Sequence, residues 1–299
     1  MLTRRAVIVA LIIEGVVFLG MGVVVADVRA HKRVELDRGV NARGFRGPLT
    51  IHKIRSERRV AVLGGTAAYG YAVAWPQSLG VALQNRLVQG WRTKYRRGYE
   101  VSVVNLAELG AGAGSYTATL REYADLAPDV VCIYDGYAPR GGRIRQGRDQ
   151  SMIFRRMSYL PILRDVMSGR AAWSLPADGV DPFLAGAQGG EDPTCDHGSA
   201  DYCAAMVEVV DVVIAQSRPV VVVTPPYVSA RHRRQQESLA AALTMRFGGD
   251  PNFRYVAVGS AADVKNPSLS ADGVNLNAAG YEAVAERVVD VMFEVIYPR

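Results

Sequence analysis

Thr66 is the side chain from which chemistry in this sequence would start. It follows Val60, Ala61, Val62 and Leu63, an apolar run with the length and composition of a buried strand, and then Gly64-Gly65, which turn the backbone sharply. A hydroxyl at the carboxyl end of a strand sits where ligands and nucleophiles sit in open α/β sheets. A helix starting there points free N–H groups at a bound anion or oxyanion. A threonine hydroxyl attacks a carbonyl only when a base takes its proton, so the base decides the reading. Four histidines are available. His31 and His52 precede the first strand, and His197 lies in CDHGSADYC. His232 follows a strand's carboxyl end, but its setting, ARHRR, reads as a solvated basic helix start. Asp135 and Asp272 supply carboxylates, yet a hydroxyl needs a stronger base or a metal, and no cluster with metal-ligand spacing stands out. No cofactor is expected.

The elements that must position Thr66 alternate. Strands are expected at Val60–Leu63, Glu100–Leu106, Val130–Tyr134, Pro219–Thr224 and Tyr255–Val258. Helical patterns fall near Trp75–Gln89, Ser115–Leu126 and Ala278–Val295. Apolar, β-branched runs of four to six residues separated by helices predict a parallel sheet covered on both faces, one α/β domain over 57–299. Residues 140–203, with RGGRIRQGR, Pro176, Pro182 and GAQGGEDP, are the least regular and read as an insertion or lid over the carboxyl edge. Trp75 reads as a core residue, and Tyr69, Tyr71, Tyr134 and Tyr137 as pocket aromatics.

Four blocks in order, GGTAAYGYAV, VVNLAELGAGAGSYTATLREYADLAPDVVCIYDGYAP, VVVTPPY and LSADGVNLNAAGYEAVAERV, resemble the SGNH (GDSL-type) hydrolase family across nearly all of 57–299. The resemblance implies a three-layer α/β/α, flavodoxin-like fold and acyl-ester hydrolysis or transfer, often on carbohydrates or lipids. It places Thr66 at the family's serine, Gly110 or Gly112 at the second-block glycine, and Gly136-Tyr137-Ala138 at the Gly-x-Asn block. Asp272-Gly273-Val274-Asn275 stands at the Asp-x-x-His block. Alanine thus replaces the oxyanion-donating asparagine, and Asn275 replaces the histidine. Losing one oxyanion donor costs ~10²- to 10³-fold, and losing the base leaves only the residual ~10³- to 10⁴-fold over water. An amide has no useful basicity. The frame is kept and the chemistry is not. Gly65, Gly110, Gly136, Tyr137 and Asn275 remain as candidate binding positions in a degenerate site around Thr66 and Asp272, and an esterase or O-acyltransferase using Thr66 is the alternative.

Ahead of this domain, Ala6–Ala26 is an apolar stretch close to the ~20 residues that cross a bilayer as a helix. No clean small-x-small cleavage site follows, so an uncleaved N-terminal anchor (residues 1–26) is expected. Glu14 lies mid-span, where a carboxyl facing lipid is costly. It either meets another helix, which Gly15, Gly20 and Gly22 would let approach, or is protonated. Residues 27–56 read as a juxtamembrane linker without sustained period. Arg29, Lys32, Arg33 and Arg38 would place that side in the cytoplasm by the positive-inside rule. Cys195 and Cys203 argue otherwise, since a polar loop can hold a short disulfide; a metal site with His197 is the competing reading and lacks a fourth ligand. An extracytoplasmic, periplasmic placement is favoured. Cys132, in an apolar strand, reads as a core residue.

The 299 residues carry a net charge of +6, and no nucleic-acid motif accompanies it. Arg140, Arg143, Arg145, Arg148, Arg155, Arg156, Arg164 and Arg170 form either a solvated lid or a surface for an acidic glycan, lipid or protein. The leading expectation is a membrane-anchored, non-catalytic binding or structural subunit of an envelope assembly.

Overall fold

The computed structural model describes residues 4–50, 53–94, 100–136, 151–167, 192–259, 262–270 and 272–297. In chain order the elements are α1 (Arg4–Arg38), β1 (Glu57–Leu63), α2 (Thr66–Tyr69), α3 (Leu79–Lys94), β2 (Glu100–Asn105), α4 (Tyr116–Glu122) and β3 (Val130–Tyr134). They continue with α5 (Met152–Met157), α6 (Leu163–Met167), α7 (Ala200–Ala215), β4 (Val220–Thr224), α8 (Ala230–Phe247), β5 (Phe253–Ala257) and α9 (Ala278–Ile296). The strands form one parallel sheet in the order β2-β1-β3-β4-β5. The order reverses between β1 and β3, and such a sheet presents its ligand crevice at the carboxyl ends of those two strands.

The strand sequences explain why both faces are covered. Val60 and Val62 on β1, Cys132 and Tyr134 on β3, and Val221 and Val223 on β4 point to one side, packing with Leu83 and Leu87 of α3 and Val284 and Val288 of α9. Ala61, Leu63, Val131, Ile133, Val220 and Val222 point to the other, against α4, α7 and α8. Period-two alternation of residues that are all apolar is what a doubly covered strand requires. The expected α/β sandwich is therefore the one observed.

Two expectations about the N-terminal third are corrected. Helix α1 is 35 residues long, ~52 Å at 1.5 Å per residue, and does not stop at Ala26. Its N-terminal part is a candidate membrane span, entirely exposed in its most apolar window. The stretch read as a linker continues the helix to Arg38 and then docks on the domain. Buried Asp27 accepts from the backbone N–H groups of Ile162 (2.8 Å) and Leu163 (2.6 Å) and from the Tyr159 hydroxyl. His31 meets the Leu160 carbonyl at 2.6 Å, and Ala30 and Val34 pack on the core. Beyond the helix, the buried Arg46 donates from Nε to the Arg38 carbonyl and from its terminal nitrogens to the carbonyls of Tyr69, Gly70 and Val73. Trp75 is half-buried rather than a core residue. It lies over Gly39 and Gly47, where a Cβ would come within 2.5 and 2.8 Å of it. The long helix and the domain meet in a built neck.

Of the 140–203 segment, only 151–167 and 192–203 are among the described residues. Arg155, Arg156 and Arg164 are exposed there, and Arg140, Arg143, Arg145, Arg148 and Arg170 lie outside the described residues.

Candidate functional site

The turn after β1 admits only glycine. A Cβ on Gly64 (φ +155°) would stand 2.2 Å from the Tyr134 carbonyl oxygen, and one on Gly65 would stand 2.6 Å from that of Ala111. This close approach of β1 to β3 and to the 106–112 turn delivers Thr66 to the switch point. The Thr66 hydroxyl accepts from the Gly110 N–H at 3.1 Å, so Gly110 rather than Gly112 is the second-block glycine that meets it. Gly110 holds φ +70° to aim that N–H. The Gly110 N–H is thus paired with the threonine's own oxygen. Asn105, buried at the end of β2, fixes the surroundings by donating to the Ala68 carbonyl (3.0 Å) and accepting from Ala107 N–H (3.0 Å).

Across the switch point, Asp135 is buried at the end of β3. Burial pushes its carboxyl up to about 6, while the Tyr116 hydroxyl and the backbone N–H groups of Gly136 and Gly65 face it and oppose that rise. Gly136 is packed so tightly that a Cβ would meet Gln236 at 2.7 Å and Pro225 at 2.9 Å. Tyr137 and Ala138, the rest of the third block, lie outside the described residues.

His232 is not the solvated residue that ARHRR suggested. It is fully buried at the start of α8, whose cap Ser229 accepts its backbone N–H at 3.1 Å. Ring Nδ1 accepts from Val228 N–H at 3.3 Å, which assigns the proton of the neutral ring to Nε2, on the side of the Gly136 backbone. Burial lowers its pKa to about 4. The neutral ring lies in a polar layer that also holds Gln235, which donates to Ser199 Oγ (3.2 Å), and Gln236. Sequence reading missed this layer. Its signal was the spacing 232, 236, 239, 243, 247, one helix face on which the first two positions are polar.

The last block closes on itself. Asp272 Oδ1 accepts from the N–H groups of Val274 (2.9 Å) and Asn275 (2.7 Å) and from Ser270 Oγ (3.3 Å), and Oδ2 accepts from Asn275 Nδ2 at 2.7 Å. Partial burial would raise its pKa, but hydrogen bonds led by the Asn275 side chain outweigh that and hold it below the ordinary carboxylate range. The Asn275 amide is spent on its neighbour. Asn277 caps α9 by accepting from Gly280 N–H (3.0 Å), and the Tyr281 hydroxyl donates to the Ala67 carbonyl (2.8 Å), which brings the start of α9 alongside α2. Among the described residues, no base hydrogen-bonds to the Thr66 hydroxyl.

Cys195 and Cys203 form a disulfide, which removes both sulfurs from any metal site with His197. Cys132 is buried and its thiol is pushed up to about 12 by burial. Glu14 is exposed on α1, and a Cβ at Gly15, Gly20 or Gly22 would meet nothing within 4 Å.

No family model matches the chain, and no curated protein does. Solved structures do. A member of the lipolytic protein G-D-S-L family from Veillonella parvula is similar at 12% identity and TM-score 0.46, covering 78% of this chain and 97% of that one. The psychrotrophic esterase EstA from Pseudoalteromonas sp. gives 12% identity, TM-score 0.45, and 79% and 97% coverage. A variant of an acetyl xylan esterase from Geobacillus stearothermophilus gives 15%, 0.46, and 80% and 94%. Likeness at this level concerns the arrangement of sheet and helices and says nothing of the chemistry, which rests on the residues above.

Proposed function

We propose that this chain is a membrane-anchored protein of SGNH-hydrolase type whose catalytic set has decayed and which serves as a binding or structural subunit of an envelope assembly. The observation that carries the reading is the closed Asp272–Asn275 pair. The aspartate that would orient a histidine is saturated by its own loop, and the buried His232 is engaged with Val228 through its Nδ1. The disulfide supports a domain outside the cytoplasm, where such bonds persist. Glu14 and the open glycines of α1 supply the surface for a second transmembrane helix.

The test is ester hydrolysis by the full chain in detergent. Wild type and Thr66→Ala are expected to share one background rate, and Asn275→His combined with Ala138→Asn to raise it in a Thr66-dependent way. Wild-type turnover that Thr66→Ala abolishes would sink the proposal. The subunit part is read by sizing wild type and Glu14→Leu extracted in mild detergent: a monomer in both excludes a helix partner at Glu14.

A second reading, an ester hydrolase acting through Thr66, draws on Asp135, a buried carboxyl tuned to about 6 beside the Thr66 turn. Turnover lost in both Thr66→Ala and Asp135→Asn would select it.

A further inference from the structure

Where α1 leaves its apolar stretch, a groove of about 1000 Å³ opens between the helix and the short helices α5 and α6. One wall is Val23, Val24 and Val28; the other includes Ile153, Met157, Leu163 and Met167. Met157 is 74% and Met167 79% exposed, and Met152, Ile153 and Val166 are exposed beside them. A soluble surface rarely gathers so many apolar side chains in 17 residues.

Their position relative to α1 gives the reason. Asp27 and His31 bind residues 159–163 directly, so α5 and α6 are held at a fixed height against the helix. Val23 and Val24 belong to the apolar stretch that ends at Ala26, and Val24 lies only ~3 Å below that end. Side chains that line one groove with Val23 and Val24 share their depth. Arg155, Arg156 and Arg164 are exposed on α5 and α6 against a single acid, Asp165, and Arg29 and Lys32 are exposed on the next turns of α1. Apolar side chains at the hydrocarbon boundary with long cations beside them make an interfacial surface, the cations reaching lipid phosphates while their stems stay in apolar surroundings.

We infer that α5 and α6 insert into the bilayer interface and that phospholipids of the leaflet α1 emerges from fill the groove, acyl chains between α1 and Met157/Met167 and phosphates at the arginines. The domain then lies down on the membrane instead of standing off on a tether. The inference rests on Ala6–Ala26 spanning the bilayer, and the test separates the two.

Single cysteines replace Val17, Met157, Met167 and Met245 in the full chain, which is spin-labelled and reconstituted in phosphatidylcholine–phosphatidylglycerol vesicles. Cys195 and Cys203 are paired and Cys132 is buried, so the native cysteines stay unlabelled. Met245, 87% exposed on α8, reports water. Collision with oxygen against a water-soluble nickel chelate is expected to favour oxygen at 17, 157 and 167, with the ratio at 157 and 167 several-fold above that at 245. Oxygen preference at 17 with nickel access at 157 and 167 equal to that at 245 overturns the inference and leaves the span. Nickel access at 17 overturns both. Labels at 157 and 167 shielded from both reagents mean that protein covers the groove. Spin–spin broadening that grows with protein-to-lipid ratio means that a second copy does. Either overturns the inference.

Discussion

The neck around Asp27 and the loop around Asp272 each contain an aspartate that accepts three or more hydrogen bonds, and they use them in opposite ways. Asp27 is buried, and its donors lie as many as 136 residues away, so it joins two parts of the molecule. Asp272 is exposed, and every donor lies within three residues, so it only shapes its own turn. Asp27 couples elements distant in the chain, whereas Asp272 holds Asn275, an amide with no basicity to lend to Thr66. Polar contacts thus fasten the helix to the domain at Asp27, while those of Asp272 stay within the 270–275 turn.

Asp27→Ala should therefore produce the largest loss. Removing the carboxylate strands two backbone N–H groups and a hydroxyl in a buried setting, worth about 3 kcal/mol even allowing for non-additivity. Amide exchange in the full chain in detergent is expected to show protection at Ile162 and Leu163 falling about a hundredfold, with the β1 and β3 amides little changed. Unaltered protection at 162 and 163 would mean that the neck is held by packing alone and would break the contrast at its stronger end.

The same contrast explains what could be read from the sequence. The sheet was legible because β3, β4 and the Val60–Leu63 part of β1 are continuous apolar runs, whereas the start of β1, with buried Glu57 and Arg59, was not read as strand. The extension of α1 was not legible. Its buried face after Ala26 is Asp27, Ala30, His31 and Val34, a helical spacing in which charge hides the period. The start of α8 failed for the same reason, since His232, Gln235 and Gln236 occupy the buried face that Leu239, Leu243 and Phe247 continue. Hydropathy registers burial only where burial is apolar, and the neck and the start of α8 bury polar residues. In the site itself, the turn glycines were legible residue by residue. That Asn275 closes on Asp272 and Gly110 on Thr66 depended on geometry.

Asp135 carries the second prediction, of smaller size and opposite sign. Burial raises its pKa from 3.8 to about 6, so its folded form prefers the proton. The wild type is then most favoured at low pH, loses stability as pH rises through about 4 to 6, and stays penalised above that window, by about 2–3 kcal/mol. Asp135→Asn keeps the shape and removes the charge. It should unfold at the same temperature as wild type or lower near pH 4.5 and be the more stable of the two at pH 7.5, in thermal scans of the full chain. A difference that does not change with pH would mean that the carboxyl is solvated, and with it the switch point would lose its one carboxyl raised above the ordinary range among the described residues.

Asp272→Ala should cost least, about 1 kcal/mol, because solvent competes for an exposed carboxylate and its donors can turn to water. Its folded pKa lies below the ordinary value, so the contribution is present at neutral pH and disappears as pH falls through and below about 4. Wild type and variant should converge in acid, in the same scans that separate Asp135→Asn from wild type at pH 7.5. The loss at pH 7 should stay confined to the 270–277 turn, with the Asn277 cap and the Tyr281–Ala67 bond intact and ester turnover unchanged. A cost equal to that of Asp27→Ala would show instead that the last block bears on the whole domain, although its hydrogen bonds all go to its own loop.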